Sequence, residues 1–155
     1  MIAVPQDPFM LKSSVRQNID PSQSISEERI IDALTRVDLW SIIESRGGLD
    51  QDMKSQPLSQ GQHQLFCLAR AMLRDSKILI LDEATSNVDI ETDKRIQEII
   101  RREFRDHTVI TVAHRIETIL DSDVVAVLDN GNLMEFGTPR ELLGRPSRFK
   151  ELTNK

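Results

Sequence analysis

Residues 58–89 constrain the fold of this chain more than any other part of the sequence. After a short polar cluster, apolar residues recur at three- and four-residue steps, which predicts a helix with one buried face. A polar break follows, and then the apolar block 78–81, which predicts a strand buried on both faces of a parallel sheet. A helix that leads into such a strand indicates an α/β fold. The apolar residues of the predicted helix are Leu65, Leu68, Ala69, Met72 and Leu73.

Two acids, Asp82 and Glu83, directly follow the predicted strand. Open α/β sheets bind ligands at the carboxyl ends of their strands. Adjacent acids at that place suit a hard divalent cation and a base that activates water. The alternative is that the two acids only cap the next helix, and the residues alone leave both interpretations open.

Ser59 and Gly61 belong to a polar cluster just ahead of the predicted helix. A serine there caps the helix, and a glycine lets backbone N–H groups approach a phosphate, with help from the helix dipole. The alternative is an ordinary helix cap without a ligand.

The composition excludes several classes of protein. With 155 residues, the chain is long enough for one domain with a core. The net charge of −5 argues against a nucleic-acid partner held through phosphate contacts. The single cysteine, Cys67, cannot form an internal disulfide and is expected to be a buried hydrophobe in a reducing compartment. No apolar stretch is long enough to span a bilayer, and the start resembles a strand already under way rather than a signal peptide.

The first residues predict a short strand, Ile2–Val4, which Pro5 ends because proline cannot donate to a ladder. Gln6 follows in a loop, where its amide would bond to the loop backbone unless it contacts a ligand. Residues 9–11 are apolar and belong either to the core or to a contact surface.

Helical patterns occupy residues 13–56. Ser24 is expected to cap the first strong helix in a capping box, and Asp38 is expected to cap a second, which two glycines end at Gly47. Trp40 is assigned to the core rather than to a contact surface. The apolar stripe of the first helix comprises Ile30, Ile31, Leu34 and Val37.

The remaining sequence predicts a charged helix at 90–104, a buried strand at 108–113, and a hairpin whose turn lies at Asn130-Gly131. Thr138 should cap a further helix, with proline in its first turn and an acid that completes a capping box. His114 directly follows the buried strand. A lone histidine there is usually structural, but a position after a second parallel strand, like that of Glu83 after the first, favours a site residue.

Five motifs, in this order, resemble those of the ATP-binding-cassette (ABC) ATPases. They are Gln6 in residues 4–8 (Q-loop), residues 58–62 (signature), 78–83 (Walker B), 86–89 (D-loop) and His114 in residues 111–115 (switch histidine). No G-x-x-x-x-G-K-[ST] phosphate loop occurs in the 155 residues.

The resemblance implies an α/β, incomplete P-loop NTPase-type domain with a mostly parallel sheet. Residues 1–12 would be the Q-loop strand and loop, and residues 13–56 a helical-subdomain insertion. Residues 57–155 would carry the signature, Walker B, D-loop, switch histidine and a C-terminal β-hairpin plus helices. In the family the phosphate-loop strand lies centrally, so we expect exposed apolar edges and faces on the remaining strands.

The resemblance also implies ATP and Mg²⁺ as cofactors. Asp82 would hold Mg²⁺ largely through water, together with Gln6, while Glu83 would polarise the attacking water. His114 would contact the γ-phosphate, in keeping with phosphoryl transfer by positioning and charge neutralisation. Without a phosphate loop, the chain by itself is expected not to hydrolyse ATP.

In ABC dimers the signature grips the ATP that the opposite domain binds, a role that falls here on Ser59, Gln60, Gly61 and Gln62. Gln60 stands where the commonest form of the motif has glycine. Asp89 would lie at the dimer interface and link the two sites.

Residues 4–11, 65–73 and 136–142 most resemble the C subfamily, the multidrug-resistance-associated exporters, in their second nucleotide-binding domain. The implied partners are the transmembrane domains of an exporter and a second nucleotide-binding domain in a head-to-tail dimer. The implied location is the cytoplasmic face of a membrane, or the cytoplasm for the chain alone. Rival interpretations are a non-catalytic module that donates its signature to a partner and an inactive truncated product; a phosphate loop encoded upstream would discriminate against both.

Overall fold

The structure is a computed structural model that describes residues 1–82, 88–112 and 116–153. The chain divides into two compact units, Met1–Val112 and Ala113–Lys155. Each unit has a core of its own.

The first unit is built on a three-stranded parallel sheet. Its strands are β1 (Ile2–Val4), β2 (Ile78–Asp82) and β3 (Thr108–Val112), in the order β1-β2-β3. Val4 pairs with Leu81 of the central strand, and Leu81 pairs with Thr111 on the other side. The mixed α/β fold with a parallel sheet is therefore confirmed.

Helix α4 (Gln60–Met72) lies at the centre of this unit. It packs against β1 and against the helices α1 (Val15–Ile19), α2 (Glu27–Arg36) and α5 (Ile90–Glu103). Phe66 and Leu68 of α4 are fully buried, and they share the core with Leu34 of α2 and Ile99 of α5. The predicted apolar stripes thus point into one core. The unit also contains α3 (Trp40–Ser45) and a 3₁₀ helix (Gly48–Asp50).

Within the described residues of the first unit, the core covers one face of this sheet. Leu79 and Leu81 are buried in the core, whereas Ile78 is 37% exposed, Ile110 49% and Val112 50%. Because side chains alternate along a strand, β2 sends every second residue into the core and the others to the opposite face. The prediction that β2 is buried on both faces was wrong, and so was the prediction that β3 is a buried strand, whereas the expectation of exposed apolar strand faces is confirmed.

Two predicted helix caps were also wrong. Helix α2 begins at Glu27 after Ser26, and Ser24 lies in a turn in which the Asp20 carboxylate accepts the N–H of Ile25 at 2.7 Å. Helix α3 begins at Trp40, and Asp38 has a left-handed backbone with φ of 60°. The Asp38 carboxylate is instead bonded by the Arg95 guanidinium of α5, with Nε at 2.7 Å, so it does not cap the helix. Trp40 is half-buried and packs against the core.

The second unit contains an antiparallel hairpin and three short helices. Asn130 and Gly131 form the turn with φ of 47° and 77°, as the Asn-Gly pair predicts. Thr138 caps α7 in a complete capping box with Glu141, and Pro139 occupies the first turn. Its core consists of Val125, Leu142 and Phe149. Its elements are α6 (Ile116–Leu120), β4 (Val125–Asp129), β5 (Asn132–Gly137), α7 (Pro139–Leu143) and α8 (Arg148–Thr153). Among the described residues of both units, every helix is too short or too polar to cross a membrane.

Candidate functional site

The N-terminus of α4 is closed by a capping box at Ser59. The Ser59 hydroxyl oxygen accepts the N–H of Gln62 at 3.3 Å, and the Gln62 side-chain oxygen accepts the N–H of Ser59 at 2.9 Å. The predicted serine cap is confirmed. The reciprocal bond from Gln62, which the sequence analysis did not assign, completes it.

This cap leaves two donors at the start of the helix. The N–H groups of Gln60 and Gly61 occupy the first two helical positions, and neither has an acceptor among the described residues. Ser59 and Gln60 are exposed, so an anion can reach this turn. The 13 residues of α4 add a helix dipole whose positive end lies here. The donor set therefore fits a phosphate oxygen.

Gly61 has a packing role that its position in the motif did not reveal. It is buried, and a Cβ at this position would lie 2.5 Å from Cγ2 of Thr92 and 3.2 Å from Cγ1 of Val88. Only a residue without a side chain lets the first turn of α4 contact the start of α5 this closely.

Asp89 is the N-cap of α5. Its carboxylate accepts the N–H of Thr92 at 3.0 Å and the hydroxyl of Thr92 at 2.6 Å. These two bonds, the hydroxyl first, hold the pKa of Asp89 below its usual range. Since Thr92 also touches Gly61, the structure places Asp89 next to the start of α4. The residues predicted as the signature, 58–62, and Asp89 of the predicted D-loop therefore lie side by side.

Asp82 and Gln6 both lie at the carboxyl ends of the parallel strands. Strands β1 and β2 run parallel in register, so Asp82 ends β2 where the chain leaves β1 toward Gln6. Asp82 is exposed, and Gln6 is half-buried in the loop after Pro5. Among the described residues no group of three or more metal-ligating side chains forms, so the Mg²⁺ site predicted at Asp82 and Gln6 stays a prediction.

Several predicted site residues lie outside the described residues. They are Glu83, Ser86, Asn87 and His114. Val112, two residues before His114, pairs with Asp82 in the sheet.

A groove of about 370 Å³ lies beside the loop after β1. The predicted apolar tip lines it with Phe9, which is 77% exposed, and with Leu11. Cys67 and Arg70 of α4 form its inner side, and burial raises the pKa of the Cys67 thiol. Cys67 is thus the buried hydrophobe that the sequence predicted.

Comparison with known proteins identifies the family. The model of the family described as ABC transporter matches residues 1–86, which is more than half of the chain. The chain belongs to the ABC transporter family. It is 51% identical over 153 residues to ABC transporter atnG of Emericella nidulans, which covers 98% of this chain and 10% of that protein.

Two further ABC relatives match at a similar level. ABC multidrug transporter B of Aspergillus fumigatus is 54% identical over 146 residues, covering 94% of this chain and 10% of that protein. ATP-binding cassette sub-family C member 2 of Homo sapiens is 51% identical over 149 residues, covering 94% of this chain and 10% of that protein. The chain therefore has C-subfamily relatives, and it spans about a tenth of the length of the curated relatives it matches.

Three residues that contact the ABC motifs were missed by the sequence analysis. Thr92 fits against Gly61, while Gln64 and Arg70 of α4 bond to the loop that carries Gln6. A signal existed for Gln64, because it is a polar residue on the buried stripe of α4. Nothing in the spacing marked Thr92.

Proposed function

We propose that this chain is part of the second nucleotide-binding domain of a C-subfamily ABC exporter, which couples ATP binding and hydrolysis to transport. The observation that carries the proposal is the start of α4. There, Ser59 and Gln62 close a capping box that leaves the N–H groups of Gln60 and Gly61 pointing out of the helix. A turn with that donor set, exposed at Ser59, supports a signature that binds the γ-phosphate of an ATP molecule on a second nucleotide-binding domain.

The residues that would act on ATP bound by this domain itself lie at the carboxyl ends of the parallel strands. Asp82 and Gln6 would hold Mg²⁺, Glu83 would polarise the attacking water, and His114 would orient that water against the γ-phosphate. Bound Mg²⁺ supplies neutralisation of the phosphate charge. The shared edge of β1 and β2 supports this division of roles, because it brings the end of β2 and the Gln6 loop together.

The second nucleotide-binding domain of the dimer contacts the N-termini of both α4 and α5. The signature residues face its ATP, and Asp89 lies at the interface between the two domains. The packing of Gly61 on Thr92 supports this arrangement because it keeps the signature and Asp89 in one rigid block.

The groove at Phe9 receives a helix of the exporter's transmembrane domains. Its apolar lining and the exposed Phe9 ring support an amphipathic helical partner at the cytoplasmic face of the membrane. The transported substrate is then chosen by those membrane domains.

Sedimentation velocity of the chain mixed with a complete ABC nucleotide-binding domain tests the proposal. We expect a complex that forms only with Mg-ATP, because the partner's ATP bridges to the Ser59 turn. Ser59→Arg should weaken the complex about tenfold or more, since it places bulk and charge at the cap. Glu83→Gln should have little effect, because the ATP in this complex lies on the partner's phosphate loop.

A matched control is Thr138→Arg, which places arginine at the N-cap of α7 as Ser59→Arg does at the N-cap of α4. It should leave the ATP-dependent complex intact. Absence of any complex, or equal sensitivity to Ser59→Arg and Glu83→Gln, would contradict the proposal.

A further inference from the structure

Gln64 is a fully buried glutamine in the middle of α4. Its side chain is only 2% exposed, and its Nε2 donates to the carbonyl oxygen of Gln6 at 2.7 Å and more weakly to that of Pro5 at 3.4 Å. These bonds join residues 58 and 59 positions apart in the chain. Burying a primary amide is unfavourable unless its polar atoms are paired, so the contact with the loop is what makes glutamine acceptable here.

Stability alone does not account for this glutamine. Its Oε1 is buried and has no hydrogen-bond partner among the described residues. A leucine of similar volume would avoid the unpaired acceptor and would still pack against the core. The one contact that only an amide can make is the bond to the Gln6 loop.

Arg70, on the same helix, holds the other end of the loop. Its Nη1 donates to the carbonyl oxygen of Phe9 at 3.2 Å, and its Nε donates to the carbonyl oxygen of Asn18 at 2.7 Å. The buried Asn18 side chain in turn accepts the N–H of Leu11 at 2.7 Å and donates to the Leu11 carbonyl at 3.0 Å. The loop after β1 is therefore fastened to α4 near Gln6 and again near Phe9.

The helix that holds the loop is the helix that begins at Ser59. Gln64 lies five positions after Ser59, within the same 13-residue helix, so a displacement of the capped turn displaces Gln64 as well. We propose that Gln64 is a positioning residue that makes the Gln6 loop move with the signature turn. This inference rests on the proposed function for its consequence, because it couples the ATP site served by the signature to the site that contains Gln6.

Hydrogen exchange of the 155-residue chain tests the fastening. In Gln64→Leu, the backbone amides of residues 6, 7 and 9–11 should exchange about tenfold faster than in the unmodified chain, while α2 and α5 keep their protection; Pro8 has no N–H. Gln97→Leu is the matched control, since Gln97 is a half-buried glutamine on α5 that has no described bond to residues 5–11. Unchanged exchange of residues 6–11 in Gln64→Leu overturns the inference.

A second variant separates release of the loop from destabilisation of the whole fold. Gln64→Asn keeps the amide but is one methylene shorter, so it should release the loop while it retains the polarity of the site. If both variants lose protection throughout α2, α4 and α5, Gln64 serves global stability and the positioning role is wrong.

The coupling itself is read from the complex with an ATP-loaded nucleotide-binding domain. In the unmodified chain, Mg-ATP should slow exchange at residues 59–62 and also at residues 6–11; in Gln64→Leu only the first segment should respond. Protection at residues 59–62 without any change at 6–11 in the unmodified chain would refute the coupling. If no complex forms at all, the proposed function and the coupling both fail, whereas the fastening is still decided by exchange in the free chain.

Discussion

The helices α4 and α7 begin with the same capping box but differ in what the box leaves available. In α4 the box is Ser59 with Gln62, and in α7 it is Thr138 with Glu141. The first position of α7 is Pro139, which has no N–H, whereas the first position of α4 is a glutamine that has one. The α7 cap also carries a carboxylate, which repels a phosphate, while the α4 cap carries a neutral amide. The same local motif thus begins a helix whose first residue has no N–H in one unit, and leaves the N–H groups of the first two helical residues without described acceptors in the other.

A glycine beside each cap provides the comparison with the largest expected effect. In Gly61→Ala the new Cβ would lie 2.5 Å from Cγ2 of Thr92, which belongs to a short branched side chain that cannot move aside. In Gly137→Ala the nearest atom, at 3.2 Å, is the carboxylate end of the flexible Glu141. We expect Gly61→Ala to lower the free energy of unfolding by ~1–3 kcal/mol, as overpacked cores do, and Gly137→Ala to have a smaller effect.

Urea denaturation followed by Trp40 fluorescence and circular dichroism measures this difference. Thr92→Ser removes Cγ2 but retains the hydroxyl that bonds to Asp89, so it should restore most of the stability of Gly61→Ala. Equal losses in the two alanine variants, or no rescue by Thr92→Ser, would show that Gly61 is not required for the α4–α5 contact.

The substitutions Gln62→Glu and Glu141→Gln swap the side chains of the two capping boxes. They test whether a neutral amide at the start of α4 is needed for an anion to bind there. Gln62→Glu preserves the bond to the Ser59 N–H and should stabilise the free helix slightly, by ~0.3–1 kcal/mol through the dipole. The same change should weaken ATP-dependent association with a complete nucleotide-binding domain about tenfold, because it places a negative charge beside the phosphate.

Sedimentation with Mg-ATP reports the association, and thermal melting reports the stability. The reciprocal control, Glu141→Gln, should leave association unchanged. An unaltered complex with Gln62→Glu would mean that no phosphate lies against the α4 turn.

Lowering the pH should weaken the α7 cap but not the α4 cap, and this is the smallest of the expected effects. The backbone N–H of Thr138, followed by its hydroxyl, holds the pKa of Glu141 below its usual range. Because the pKa in the folded state is lowered, this contribution is fully present above the unfolded value of about 4.3 and is lost as the pH falls through the folded pKa. The α4 box has no titratable group and should not respond.

Amide exchange at Thr138 and Ser59, corrected for the intrinsic pH dependence and measured from neutral pH to about pH 3, follows the two caps separately. Only the Thr138 amide should lose protection, and Glu141→Gln should abolish that loss. If the Ser59 amide lost protection at the same pH, the cause would not be the protonation of Glu141 in the α7 capping box.

The fold was predictable where the determining contacts are local. The caps at Ser59 and Thr138 and the turn at Asn130-Gly131 form within a few residues, so the spacing of residue types was sufficient. The predicted caps at Ser24 and Asp38 were wrong because other partners compete. Asp20, only five residues before Ile25, accepts the Ile25 N–H, and Arg95, 57 residues after Asp38, bonds to the Asp38 carboxylate.

The candidate site was predictable in part. Motif order identified Gln6, Ser59 and Asp82, and parallel pairing of β1 with β2 explains why residues so far apart in the chain share one edge. The roles of all these residues in binding or catalysis stay predictions, and Glu83 and His114 also lie outside the described residues.

The sequence by itself determined the strands, most of the helices, the capped start of α4 and the residue types available for phosphate and Mg²⁺, because periodicity and capping act over one or two helical turns. Only the tertiary structure decided which face of β2 is covered, that Gly61 is packed against Thr92, and that Gln64 holds the Gln6 loop. The physical reason is distance along the chain. The Gln64–Gln6 bond joins residues 58 positions apart, and Gly61 and Thr92 belong to different helices. Such contacts depend on the packing of the intervening elements, which no local pattern encodes.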